Sequence, residues 1–391
     1  MTSNSINTNT SSFGALGALR TAQSDLLSAT KRTQTGYRVS DATDDAGAFS
    51  IAQQVRGDVS GWDVVASAQA RGVGAAKVAL GGLEKISDLV QELRRRLLEY
   101  ASDASPTSNS IAANTVQTIL NQIDAIAGAA RFDGIRPLAA PQVASPGGGV
   151  ALSGVQTISN ATPFIVQSVT ISGLPPGTPG TVILQYDNFG VPDTEAVFYR
   201  DAQVASSGFT AGTGQLAFNY DGNPPYSFEV LGGTGVGSSA NFQAFFVAGA
   251  PTANDGSIQL IRDPSGGQSE LKAVDASVTG LTLNGASPLP APPGPYTNIL
   301  NSIAFAENLI ARNMGYFASK IKDFEGVQNS ARLMVDSVTR GLGALIDADL
   351  GKAQSLAESA KIKQQLALQG VSVANQSQRA ILGFLESISQ K

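Results

Sequence analysis

The sequence predicts a mainly α-helical protein with an inserted β domain: long coiled-coil or helical-bundle arms formed by the N- and C-terminal segments, plus a β-rich surface domain. Three observations point there. Apolar residues recur at alternating spacings of three and four in both ends of the 391-residue chain. The stretch from about 141 to 296 holds 16 of the 18 prolines and 23 of the 42 glycines, but three of the 26 basic residues. From about Tyr296 onward the composition is helical again.

In the first arm, Ala15, Leu19, Ala22, Leu26 and Ala29 form one stripe. Ala79, Leu83, Ile86, Val90, Leu93 and Leu97 form a second, and Ala112, Val116, Ile119, Ile123, Ile126 and Ala130 a third. Such alternation keeps an apolar seam facing a partner helix along its length; the plainer reading is an ordinary bundle core. Pro106 interrupts between the second and third stripes, and the cluster SPTSN reads as a loop. "RFDGIRPL", Arg131 to Leu138, closes the third helix with Asp-Gly turn chemistry.

The middle block reads as short strands at Phe164–Ile171, Thr181–Tyr186, Glu195–Arg200, Gln215–Tyr220, Tyr226–Leu231, Phe242–Ala248, Ser257–Arg262 and Val278–Leu283. Pro- and Gly-rich clusters between them supply turns, and the pattern suggests a sandwich or a pair of small sheets. In the last region Ile299, Ile303, Ala306 and Ile310 start a stripe that slips near Asn313 and Met314. Phe317, Ile321 and Phe324 resume it, and Ala331, Val335 and Val338 carry it on. Near the end Leu366, Val373 and Ala380 are seven apart, as are Ala367, Ala374, Ile381 and Ile388.

Composition narrows the chemistry. The chain has no cysteine and no histidine, which removes thiol nucleophiles, disulfides, the commonest general base and the commonest metal ligand. No enzyme activity, cofactor or metal is expected. The net charge of −5 argues against a general nucleic-acid binder. Charge is uneven, however: Arg20, Lys31, Arg32 and Arg38 face Asp25 alone in the first 40 residues. No stretch approaches the roughly 18 consecutive apolar residues of a membrane span. The polar start, MTSNSINTNTSS, lacks the apolar core of a secretory signal, so the chain is cytoplasmic or leaves by another route.

Candidate sites are few. GGTGVG at 232–237 lacks the GK[ST] ending of a phosphate loop and reads as a hairpin turn. YDGNPP and DPSGG lack the alternating oxygen ligands of a calcium loop and read as ordinary turns. Arg94, Arg95 and Arg96 read as a solvated helix face, with ion pairs to a neighbouring chain as the alternative. Trp62 reads as an anchor between helices. Asp41, Asp44 and Asp45 in "RVSDATDDAGAF" are either a metal or acid–base site or a helix start. Capping is favoured, with Asp41 as N-cap and the other two in the first turn, because no histidine can complete a metal site.

Ser5 to Gly57 carries INTN, the A..AL repeat, the TG.R.. turn and the DDA. stretch, and in these it resembles the conserved start of the bacterial flagellins, in the alphaproteobacterial style. "LEKISDLVQELRRRL" and "RFDGIRPL" resemble the family's next two helices. Leu345 to Leu385 resembles its closing segment through DAD, KQQ, the ANQ triplet and IL.FL. The resemblance covers the two arms and none of the insert. It departs where Ile346 replaces the Arg of the family's IRDAD motif, and at Gln91, Glu92, Leu93, Arg94, Arg95 and Arg96. There the family's QR.REL pattern forms the surface recognised by the animal innate flagellin receptor, and the changed order argues against such recognition.

The resemblance implies a structural subunit that self-assembles into the flagellar filament for motility. Residues 1–43 and 350–391 would form a terminal coiled-coil core, 44–140 and 297–349 a helical rod, and 141–296 a variable surface domain. Leu16, Leu19, Leu26, Arg38, Asp41, Asp44, Asp45, Leu366, Val373, Asn375, Gln376, Ile381, Leu382 and Leu385 would lie in the self-assembly interface. Implied partners are further copies of the chain, other flagellins, hook-filament junction and cap proteins and an export chaperone, with no nucleic acid and no membrane. The filament is extracellular, reached by flagellar type III export without a cleaved signal peptide. A hook-filament junction protein, or a filament subunit whose insert also binds surface ligands, are the alternatives.

Overall fold

The computed structural model describes residues 9–102, 106–139, 149–159, 165–171, 177–190, 192–232, 239–249, 257–287, 289 and 296–389. Side chains at 106–109, 159, 377–378, 381–382, 384–386 and 388–389 lie outside that description. The helices are α1 (Thr10–Thr35), α2 (Ala46–Ser102), α3 (Pro106–Ala129), α4 (Tyr296–Ile346) and α5 (Leu350–Ser389). Between α3 and α4 come β1 (Val150–Ala151), β2 (Gln156–Ser159), β3 (Ile165–Thr170), β4 (Gly180–Asp187), β5 (Glu195–Tyr199) and β6 (Ala202–Ser206). They are followed by β7 (Thr213–Tyr220), β8 (Ser227–Gly232), β9 (Ser239–Ala248), β10 (Ile258–Ile261) and β11 (Gln268–Leu271). The expected class, helical arms formed by both ends with a β-rich insert, is the observed one. The chain divides into a unit of Met1–Asp63 with Arg332–Lys391 and a unit of Val64–Ala331.

In the first unit, α1 starts at Asn9, whose side chain accepts from the Ser12 amide at 2.9 Å. It ends at Gly36, which takes φ 74° and returns its N–H to the Arg32 carbonyl, an αL stop that a side chain would disfavour. Helix α5 runs antiparallel to α1: Asn9 Nδ2 donates to the Ala374 carbonyl at 3.1 Å, and the Ala348 amide donates to the Gly36 carbonyl at 2.9 Å.

In the second unit, α2 presents its full stripe from Ala79 through Leu97 to a continuous core shared with Val116, Ile119 and Ile123 of α3 and Ile303, Phe317 and Phe324 of α4. Helices α2 and α4 are antiparallel. Tyr100 meets Tyr296 edge-on at 5.7 Å, Arg94 pairs with Glu307 at 3.0 Å, and Lys77 with Glu325 at 2.8 Å. The arginine run is satisfied within the chain, since Arg95 and Arg96 both pair with Glu92. Trp62, in the first unit, is half-buried. Pro106 is the first residue of α3, where its missing N–H costs nothing, so Thr107–Asn109 are helical and not the expected loop. Asp133 and Gly134, both at positive φ, make the Asp-Gly turn that lets Phe132 and Ile135 exchange hydrogen bonds.

The β block forms three antiparallel sheets among the described residues. One is β1-β9-β4-β7 with β2 also on β9, the second is β3-β8-β5-β6, and the third is the β10-β11 hairpin. The larger two face each other through aromatic rings, Phe218 standing 5.2 Å from Phe228 and 5.6 Å from Tyr199. That is the expected sandwich plus one hairpin. Strand β9 alternates buried and half-buried residues along its length, as a half-covered strand does. Val278–Leu283 is not a strand. Leu281 and Leu283 are buried, but the backbone folds into turns, with the Leu283 amide donating to the Val278 carbonyl. GGTGVG lies outside the described residues beyond Gly232. Asp221 and Asp263 each accept the amide two residues on, the side-chain hydrogen bonds of the ordinary turns that YDGNPP and DPSGG predict.

The slip in the α4 stripe marks where this helix is tied to the sheets. Asn313 is fully buried and donates to Gln203 Oε1 of β6 at 2.8 Å, and Gln203 donates to the Gly280 carbonyl at 2.8 Å. A second buried polar group is Glu195, held by Asn188 Nδ2 at 3.2 Å, with one carboxyl oxygen unpartnered.

Two predictions follow from this packing. Adding a Cβ at Gly72 would put it 2.3 Å from Leu260 and 2.9 Å from the buried Phe324 ring, whereas Gly81 has nothing within 4 Å. Gly72→Ala is expected to destabilise by about 1–3 kcal/mol and Gly81→Ala to stabilise by about 0.5–1 kcal/mol, read from urea unfolding. Burial pushes the Glu195 carboxyl up to about 7 from 4.5. The folded chain therefore keeps a proton that the unfolded chain has lost, so this contribution is full at low pH and falls as pH rises through that window. The slope is at most about 1.4 kcal/mol per pH unit, levelling off above pH 7. Glu195→Gln should remove this component, measured as the difference in urea midpoints between pH 5 and 8.

Candidate assembly surface

The seam between α1 and α5 is built from small residues. On α1, Ala22 and Ala29 are buried, with Ala15, Leu19 and Leu26 half-buried between them. On α5, Ala353, Ala360 and Ala367 are buried, with Ala357, Gln364, Val371 and Ala374 half-buried. Alanines at seven-residue intervals let two helices approach closely, so the seam is closed within one chain.

Closing it leaves other apolar side chains uncovered. Phe13, Leu16 and Leu27 of α1 are exposed, as are Leu350, Leu356, Ile362, Leu366, Leu368 and Val373 of α5. Leu366 and Val373 are 60% and 65% exposed, so the two heptad sets of α5 face differently: Ala367 inward, Leu366 outward. Asn375 and Gln376 are exposed as well, and Ser12 Oγ meets Asn375 Oδ1 at 3.3 Å. Ile381, Leu382 and Leu385 lie on α5, with side chains outside the described residues. Ala353 and Ala360 continue the Ala367 register backwards by sevens, a signal present in the sequence but not singled out.

The junction from α1 into α2 gathers the remaining candidates. Arg38 donates its backbone N–H to the Ile346 carbonyl and its Nη2 to the Leu345 carbonyl, both at 2.6 Å. Ile346, standing where the related motif has Arg, is buried with Val39, Ala48 and Ala52 in a small separate core. Lys31, which no motif marked, donates to Asp41 at 2.6 Å and to both oxygens of Asp44 at 2.9 Å. Asp44 also accepts from the amide and hydroxyl of Ser40 at 2.9 Å. The expected cap assignment is corrected: α2 starts at Ala46, and Asp45 is its cap, accepting the Ala48 amide at 2.9 Å. Asp41 instead closes the preceding turn, accepting the Thr43 amide at 2.9 Å. Both aspartates thus pair within the chain.

Electrostatics follow the geometry. The Lys31 ammonium holds the Asp41 and Asp44 carboxyls below the usual carboxylate range, and they hold Lys31 above its usual value. Depressed carboxylates stabilise above their unfolded pKa and lose that effect only as pH falls through the folded one. The raised lysine keeps its contribution up through alkaline pH. The junction is therefore expected to hold through neutral and mildly acidic conditions. The double change Asp41→Ala, Asp44→Ala should lower the thermal midpoint near pH 7. That deficit should shrink in strong salt and as pH falls below the ordinary carboxylate range, while Asp45→Ala should cost about 1 kcal/mol with a weaker dependence on salt.

Residues 6–142 match the family description "Bacterial flagellin N-terminal helical region". Flagellin A of Rhizobium meliloti is 26% identical over 412 residues, covering 97% of this chain and 99% of that protein. Flagellin D of the same organism is 26% identical over 404 residues, covering 97% and 98%. The solved structure of flagellar hook associated protein-3 from Legionella pneumophila, at 11% identity and TM-score 0.35, covers 75% of this chain and 98% of that one. That score is too low to bear on the assignment. With near-complete two-way coverage by the Rhizobium proteins, and with the N-terminal helical region matched, the chain is similar to bacterial flagellins of the alphaproteobacterial type.

Proposed function

We infer that the protein is the structural subunit of a flagellar filament, assembling through its two terminal helices. The observation that carries this is the division of labour on α5, where alanines close the seam with α1 and leucine, isoleucine and valine remain uncovered beside it. Large apolar side chains left in solvent along one helix of a single chain support an interaction site there. Identical subunits meeting through unlike patches generate an open helix and not a closed ring. Leu16, Leu366, Val373, Asn375, Gln376, Ile381, Leu382 and Leu385 are proposed to meet neighbouring subunits, and Leu19 and Leu26 to support the seam. Arg38, Asp41, Asp44 and Asp45 hold the junction that orients it.

In this reading residues 1–43 and 350–391 form the filament core, 44–140 and 297–349 the layer around it, and 141–296 the outer surface. Partners are further copies, other flagellins, hook-filament junction and cap proteins and an export chaperone. The subunit leaves by the flagellar type III route without a cleaved signal. Among the described residues no helix is long and apolar enough to cross a membrane. No chemical step is assigned to the protein. A junction protein shares the terminal plan, but the closing DAD, KQQ and ANQ segments favour flagellin.

Purified full-length chain is expected to polymerise when seeded, as seen by electron microscopy. Removing about forty residues from either end, or changing Leu366 and Val373 together to Glu, should leave folded monomer that does not polymerise. Polymerisation by the truncated chains would contradict the assignment.

A further inference from the structure

The 141–296 stretch has three basic residues, and all three meet in one place. Arg200, Arg262 and Lys272 line a cleft of about 670 Å³ together with Lys320 of α4, within the Val64–Ala331 unit. The walls are the β5–β6 turn, the β7–β8 connection, the β10–β11 hairpin and one face of α4. A volume of that order suits a small molecule.

Arg200 is placed there at a conformational cost. It and Asp201 form the two-residue turn between β5 and β6 with φ of 54° and 62°. Asn-Gly is the usual choice for such a turn, and non-glycine residues in that region are disfavoured. In return Arg200 reaches Asp221 at 2.8 Å, Glu270 at 3.4 Å and the Pro224 carbonyl at 3.0 Å, and lies over the Tyr199 ring.

Charge inside the cleft does not balance. Its three carboxylates are all engaged: Asp221 and Glu270 by Arg200, Glu270 also by Lys272 at 3.1 Å, and Asp323 by Arg262 at 3.8 Å. Lys320 has no ion pair or hydrogen bond among the described residues; its ammonium lies 5.7 Å from the Tyr316 ring centroid. Burial holds its pKa below the usual lysine value. Among the residues that line the cleft, cations outnumber carboxylates by one, with Lys320 in the field of Asp323 and Glu270 and beside the neutral donors and acceptors of Asn223, Gln259 and Gln268. The carboxylates would repel a polyanion, whereas a single negative charge among hydroxyls matches both the excess charge and the amides.

We propose that this cleft binds a hydroxyl-rich monoanion, a sugar acid of the hexuronate class, with its carboxylate on Lys320 and Arg262 and its hydroxyls on the amide side chains. The site lies in the β block and α4, so its occupancy is read on unpolymerised full-length chain and is separate from assembly. Titration calorimetry with D-glucuronate is expected to give binding at millimolar concentrations, at least about tenfold tighter than D-glucose or acetate. Lys320→Gln and, separately, Arg262→Gln should each weaken it by about tenfold or more, while Arg95→Gln on α2 leaves it unchanged. Glucuronate binding no tighter than glucose would overturn the proposal. So would binding equal to that of acetate, or undiminished binding by both cleft variants.

Discussion

The structure depends on the close approach of α1 and α5 through alanines seven residues apart. One alanine methyl buries little surface, so the seam gains by length and not by depth. Helices of 26 and 40 residues that pair antiparallel from Asn9 to Gly36 accumulate many such small contacts. Their backbones are fully hydrogen-bonded along the way, and each helix supplies the other's missing apolar face. The two ends of the chain become one element, which explains how regions more than 300 residues apart in sequence belong to a single compact unit.

Choosing alanine for the seam has a consequence for the rest of the surface. Leu366 and Val373 lie on the heptad set that faces away from the seam, and they remain in solvent on a lone chain. In the proposed filament, neighbouring subunits cover them. The junction beside them works in the opposite way, satisfying itself internally: Lys31 takes both aspartates, Arg38 takes two carbonyls, and Ile346 fills a small apolar core. Paired within itself at the turn and leaving apolar side chains uncovered along the helices, the unit is suited to the proposed meeting with copies of itself.

Most of the helical architecture was legible because the 3-4 alternation reports which face is covered, and α2 buries the stripe from Ala79 to Leu97 as that pattern requires. Strands β4, β7 and β9 were equally visible as β-rich runs between turn clusters. Strand β6 was not, because its turn uses Arg200-Asp201 in place of glycine or asparagine and so carries no local mark. Val278–Leu283 misled for the converse reason: alternating leucines are buried by contacts with distant elements while the backbone turns. At the junction the residue types announced a helix start, but the choice of Asp45 over Asp41 as cap depends on Lys31 claiming Asp41 and Asp44. Likewise, heptads on α5 could be counted, but which set faces inward depends on α1. The cleft was invisible, since its four cations are spread over 121 residues from Arg200 to Lys320.

The seam itself can be tested in a chain that has no cysteine of its own. A Cβ built at Gly370 would lie 3.8 Å from the Ala15 Cβ, the spacing that a disulfide spans without distortion. Mild oxidation of the Ala15→Cys, Gly370→Cys protein should give an intramolecular disulfide in the monomer, seen as faster migration on non-reducing gels. Exclusive formation of linked dimers, or no disulfide at all, would contradict a seam closed within one chain.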